Sequence, residues 1–126
     1  MQFLLLIYED ESRFQNGYPE AEMSEYRAFR ERNSGAIKGG HQLQLTRTAK
    51  SVRIRNGKQL ITDGPFAETK EQLGGFFLVE ADNTDAAVAL ALKIPGARSG
   101  VIEVRPIVVH AQPALAGSSS RKETAR

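Results

Sequence analysis

Cysteine is absent from all 126 residues, which excludes disulfides and thiolate metal sites and gives no sign of an oxidising compartment. Histidine occurs only at His41 and His110, and two separated histidines with no thiolate do not make a dedicated transition-metal site. No run approaches the ~18 apolar residues of a membrane-crossing helix. The apolar opening Phe3 to Tyr8 lacks a basic lead, is short and runs straight into Glu9-Asp10-Glu11, so it reads as a strand rather than a secretion signal. Also missing are GxxxxGK[ST], GxGxxG, a serine elbow and HExxH, and with them the common phosphate-cradling loops and hydrolase centres. The expectation is a cytoplasmic protein with no membrane partner, no metal and no other cofactor.

What is present is ordinary for a globular chain: 40% hydrophobic and 25% charged residues, enough for one domain with one core. The pI of about 9.1 suggests nucleic acid until the charges are placed. From Pro113 onward Arg121, Lys122 and Arg126 face Glu123 alone, and setting these aside leaves 14 residues of each sign in the body. The expected organisation is a domain over residues 1–112 and a disordered basic tail over 113–126, where a Ser118-Ser119-Ser120 run and few apolar groups do not offset ordering entropy. Within the body, Glu9 to Glu25 is acidic, while Arg27 to Lys58 holds nine basic residues against Glu31. That asymmetry either steers an anion or marks solvated faces that neutralise each other in the fold or across a subunit contact.

Phe3 to Tyr8 is continuously apolar, the pattern of a strand buried on both faces. From Pro19 to about Gly35, Glu20, Glu22 and Glu25 lead toward Arg27, Arg30 and Arg32 in the sense that suits a helix dipole, with Met23, Tyr26 and Phe29 on one face. Gly39-Gly40 reads as the turn into a strand over His41 to Thr46. Ser51 to Arg55 alternates, Asn56-Gly57 is a strong hairpin signal, and Gln59 to Thr62 follows. Gly75 to Ala81 is a further strand. Asn83 or Thr84 caps a helix whose apolar positions are Ala87, Leu90, Ala91 and Ile94, Pro95-Gly96 ends it, and Val101 to Val104 is the last strand, with Ile107-Val108-Val109 as an extension.

The order is two βαβ-like halves with a hairpin inserted in the first, the ferredoxin-like α+β pattern. Both helices then lie on one side of one sheet. Since Phe3 to Ile7 and Phe76 to Val79 are apolar on both faces, the side without helices calls for a cover, and a homodimer with sheets packed face to face is predicted.

Between the hairpin and the next strand lies Thr62-Asp63-Gly64-Pro65-Phe66. A glycine before a proline turns the chain, Pro65 fixes its own φ, and the Asp63 carboxylate suits downstream backbone amides in an Asx-type turn. A functional carboxylate is the other reading of Asp63. The run Asp63 to Phe76, DGPFAETKEQLGGF, with the opening LLLIY strand, Asn56-Gly57-Lys58, Ile94-Pro95 and Glu103-Val104-Arg105-Pro106, resembles the DGPF branch of the YCII-related proteins over nearly the whole body. The resemblance implies a dimeric ferredoxin-like fold with a cleft near the dimer interface, where a histidine and an aspartate act as an acid/base pair. It places the aspartate on Asp63.

The histidine lies outside the block, and His41, at the expected strand start, is the better placed of the two. A carboxylate beside it would raise the imidazole pKa and fix its tautomer; a surface role is the alternative. Gly64, Pro65, Phe66 and Lys70 are the candidate ligand-binding residues, with Phe66 as a core plug and Lys70 as a salt-bridge partner of Glu71 as the other readings. Phe76 and Phe77 are adjacent, so they point to opposite faces and do not form the stacking pair of an RNA-binding module; no nucleic-acid partner is expected. Two functions follow: a binding or catalytic protein for an unidentified small molecule, by proton transfer or lyase-like chemistry, or a regulatory module. The resemblance attaches the second to an extracytoplasmic-function sigma-factor pathway.

Overall fold

A computed structural model describes residues 1–110; the tail expected from Pro113 lies outside the described residues. The chain runs β1 (Gln2–Glu9), α1 (Glu20–Arg32), β2 (Ile37–Gln42), β3 (Lys50–Arg55), β4 (Lys58–Asp63), β5 (Gln72–Glu80), α2 (Thr84–Ala91) and β6 (Val101–Pro106). Four strands form one antiparallel sheet in the order β2-β5-β1-β6, and β3-β4 forms a separate ribbon. With that ribbon set aside, the sheet order and the two helices give the ferredoxin-like arrangement. The hairpin stands between the two halves, not inside the first. Among the described residues no helix is long and apolar enough to cross a membrane.

Alternation in β1 decides what lies where. Phe3, Leu5 and Ile7 point inward and are buried, while Leu4, Leu6 and Tyr8 face the other way and are half-buried. Cross-strand register extends both faces: Leu5 pairs with Phe77 and Val104, Leu6 with Phe76 and Glu103. Phe29 of α1 and Ala87, Leu90 and Ala91 of α2 close the core against the inward set, so both helices cover one face. Helix α1 carries Glu20 and Glu22 in its first turn and Arg30 and Arg32 in its last, complementing the helix dipole. In α2 the Asn83 side chain accepts from the Ala86 amide at 2.9 Å, as an N-cap does.

Several boundaries differ from expectation. Gly39-Gly40 is not a turn: both lie inside β2, paired with Leu78 and Phe77. A Cβ at Gly40 would stand 2.7 Å from the Phe76 carbonyl oxygen, so a glycine pair that reads as punctuation is what lets β2 lie tightly on β5. Accordingly β2 ends at Gln42, and Thr46–Thr48 is a 3-10 turn instead of strand. Helix α1 stops at Arg32, with Asn33 at its end, ahead of Gly35. Strand β6 ends at Pro106; beyond it the Ile107 amide still donates to the Gln2 carbonyl at 3.0 Å.

Candidate functional site

Where β2 and β5 meet, above the C-terminal end of β1, the sheet and α1 diverge and leave a cleft of about 330 Å3. Its floor is apolar, formed by Ile7, Phe14, Met23 and Phe77. Phe14 ends the 3-10 turn Glu11–Phe14, and its ring lies 4.7 Å from that of Tyr18. Gln42 and Arg30 stand at the polar margin.

One wall carries charge. Glu9 is the next inward position after Ile7 and is only 7% exposed, a setting in which a carboxylate needs partners. One of its oxygens accepts from Arg13 Nη1 at 2.5 Å and from Ser99 Oγ at 2.5 Å. The other Arg13 nitrogen donates to Glu22 at 2.8 Å. Beside this network the Tyr26 hydroxyl accepts from the Gly96 amide at 3.2 Å. Burial, followed by the negative charge of Glu9, pushes the Tyr26 hydroxyl up to about 12. Tyr26 therefore stays protonated near neutral pH, with a proton to donate.

Of the residues singled out from sequence, His41 is among those lining the cleft, and Asp63, Gly64, Pro65, Phe66 and Lys70 are not. Asp63 ends β4, exposed, and its carboxylate accepts from the Lys50 ammonium across the ribbon. The turn after it is not an Asx turn: Gly64 holds it with φ +90°, its amide donating to Ala49 and its carbonyl accepting from Ser51 Oγ, both at 2.8 Å. His41 pairs in register with Phe76, and its ring meets that side chain edge-on at 6.0 Å. His41 stands on the part of β2 that borders the cleft, and its register places its side chain on the same sheet face as Phe76. Among the described residues no hydrogen bond or ion pair joins His41 to Asp63, and Asp63 does not line the cleft.

Pro65 borders a second, shallower concavity with Glu11, Thr46 and Gln72. Phe66 is 78% exposed, so it plugs no core. Lys70 makes no ion pair with Glu71 among the described residues; it lies near Asp10, whose carboxylate is lowered chiefly by hydrogen bonding to Ser12, with a smaller contribution from Lys70. Among the described residues no cluster of three or more His, Asp or Glu is arranged to hold a metal ion.

Glu9, Arg13, Tyr26 and Ser99 escaped the sequence reading because Glu9 and Ser99 are 90 positions apart. One signal was available: Phe3, Leu5, Ile7, Glu9 is an unbroken period-two series, which aims a carboxylate into the core side.

Comparison with known proteins agrees with this frame. A solved structure of 5-chloro-2-hydroxyhydroquinone dehydrochlorinase from Burkholderia phenoliruptrix AC1100, in complex with 2,5-dihydroxybenzoquinone, superposes with a TM-score of 0.54 at 15% identity, covering 86% of this chain and 94% of that one. At that identity the likeness is one of fold. An uncharacterized protein of Rhizobium meliloti (strain 1021) is 33% identical over 117 residues, 87% of this chain and 94% of its own length. The YCII-related domain matches residues 1–111. The chain belongs to the YCII-related family.

Proposed function

We propose that the cleft between α1 and the sheet binds a small ring-bearing organic molecule with hydroxyl or oxo substituents. One observation carries the reading: an apolar, partly aromatic hollow of about 330 Å3 has, on one wall, a buried carboxylate and a protonated tyrosine hydroxyl. That size lies within the ~300–1,000 Å3 of ordinary ligand sites. A planar ring gains from contact with Phe14 and Phe77. Its polar substituents exchange hydrogen bonds with the Tyr26 hydroxyl and the Gln42 amide. A dehydrochlorinase of this fold, solved with a dihydroxybenzoquinone, supports this ligand class.

Catalysis by proton transfer or lyase-like chemistry, with Asp63 and His41 as the acid/base pair, rests on the family resemblance. Within one chain the two belong to separate sheets. The homodimer belongs to the same proposal and is supported by the half-buried Leu4, Leu6, Tyr8, Phe76 and Leu78 on the face away from the helices. On that face Glu103 accepts from Tyr8 at 3.2 Å and from Arg105 at 3.0 Å, so its charges are internally paired and two copies stack without like-charge repulsion.

The test is a thermal-shift and calorimetric titration with hydroxylated benzoquinones and benzoates, on wild type and Met23→Trp. A rise in melting temperature that Met23→Trp abolishes, with the fold retained, is expected. Absence of binding across the panel, or binding indifferent to the filled cleft, removes the reading. Once a substrate is in hand, lost turnover in Asp63→Asn or His41→Ala at unchanged melting temperature supports the catalytic roles, and unchanged turnover excludes them.

A further inference from the structure

The β3-β4 ribbon stands apart from the body. Its strands contact chiefly each other, and a lone two-stranded hairpin is only marginally stable in water. Cross-strand pairing of Val52 with Ile61, two residues from Ile54, puts these three on one face, where they are 62% to 68% exposed. The tip is set by Asn56 and Gly57, with φ of 52° and 76°, the dihedral signs of a type I′ turn. The root is pinned: the Glu11 carboxylate accepts from the Thr46 amide at 2.8 Å and from the Thr46 hydroxyl at 2.7 Å. An extended ribbon, fixed at its base and greasy on one face, is built to lie on something.

We infer that this ribbon is a docking arm whose Val52-Ile54-Ile61 face packs on a second copy of the chain, an inference that rests on the homodimer proposed above. Area argues for that occupant. The outer face of the four-stranded sheet measures roughly 19 Å by 20 Å, on the order of 400 Å2, from the spacing of strands and residues. A stable two-protein contact buries about 800 Å2 on each partner. Sheet stacking alone therefore falls short, and an arm on each subunit, laid across the other, supplies further area at each end of the two-fold contact.

Nucleic acid is the competing occupant, because Arg53, Arg55 and Lys58 make no ion pair among the described residues. Two observations favour protein. The three apolar side chains form a face that phosphate does not match, and the body has 14 charges of each sign, without the broad positive field that holds a duplex.

The natural chain has no cysteine, so Ile54→Cys introduces a single thiol for a benzophenone-maleimide probe, with Val52→Cys as a second placement. After irradiation at tens of micromolar, a product of twice the 13.9 kDa chain mass is expected, its cross-linked peptide mapping to residues 1–110 of the other copy. Ile54→Asp is expected to weaken association at least about tenfold, since it buries an unpaired charge at the contact. A sedimenting dimer that yields only cross-links within one chain, including to residues 111–126, overturns the arm and leaves the dimer standing. A folded monomer overturns both, and protection of the thiol by a 30-base-pair duplex assigns the arm to nucleic acid instead.

Discussion

The two faces of the four-stranded sheet are built from similar side chains and meet different fates. Phe3, Leu5 and Val79 on the helix side are fully buried, whereas Leu4, Leu6, Phe76 and Leu78, one residue out of step, are half-buried. Helices α1 and α2 account for the difference, because nothing of comparable size in the chain covers the second face among the described residues. A strand apolar at successive positions suits a sheet covered on both faces; the helices cover one, and the proposed homodimer would cover the other.

The largest effect separates the faces directly. Leu5→Ala leaves a cavity under the helices and is expected to cost about 2–5 kcal/mol in urea unfolding, whatever the protein concentration. Leu6→Asp, its neighbour on the other face, is expected to cost the isolated subunit less, on the order of 1 kcal/mol, while removing the concentration dependence of the melting temperature. Equal, concentration-independent losses for the two variants would mean that the outer face needs no partner.

The polar corner of the helix side gives the next comparison. Burial and then the charge of Glu9 raise Tyr26 from the usual 10.0 to about 12 in the folded protein. A raised folded-state value makes its contribution intact below about pH 10 and lost as the pH climbs from 10 toward 12. Tyr26→Phe is expected to flatten stability across that window. At neutral pH it should cost about 1 kcal/mol, because the Gly96 amide loses its acceptor. Urea midpoints measured from pH 8 to 11.5 check both parts. Smallest of all is Asp63→Asn: its ion pair with Lys50 is exposed, and exposed pairs contribute at most about 1 kcal/mol. A change in midpoint above that limit would show that the aspartate holds its turn by some other contact.

Local chemistry explains which parts were legible in the sequence. The Asn83 cap, the Asn56-Gly57 turn, the charge gradient of α1 and the apolar series of β1 each involve residues within a few positions of one another, and all appear as read. Gly39-Gly40 has the local look of a turn and yet lies in a strand, because a strand glycine is chosen by its cross-strand neighbour, for Gly40 the Phe76-Phe77 segment, which local propensity does not see. The cleft was hidden for the same reason: Glu9, Tyr26 and Ser99 come from three elements. The signature around Asp63 identified the family and drew attention to the ribbon's base, while the enclosed space lies under α1.

Sedimentation velocity of the wild-type chain between about 1 and 50 µM tests the paired-sheet claim most directly. A folded species of two-chain mass throughout that range is expected. A compact, fully folded 13.9 kDa subunit at every concentration would contradict it.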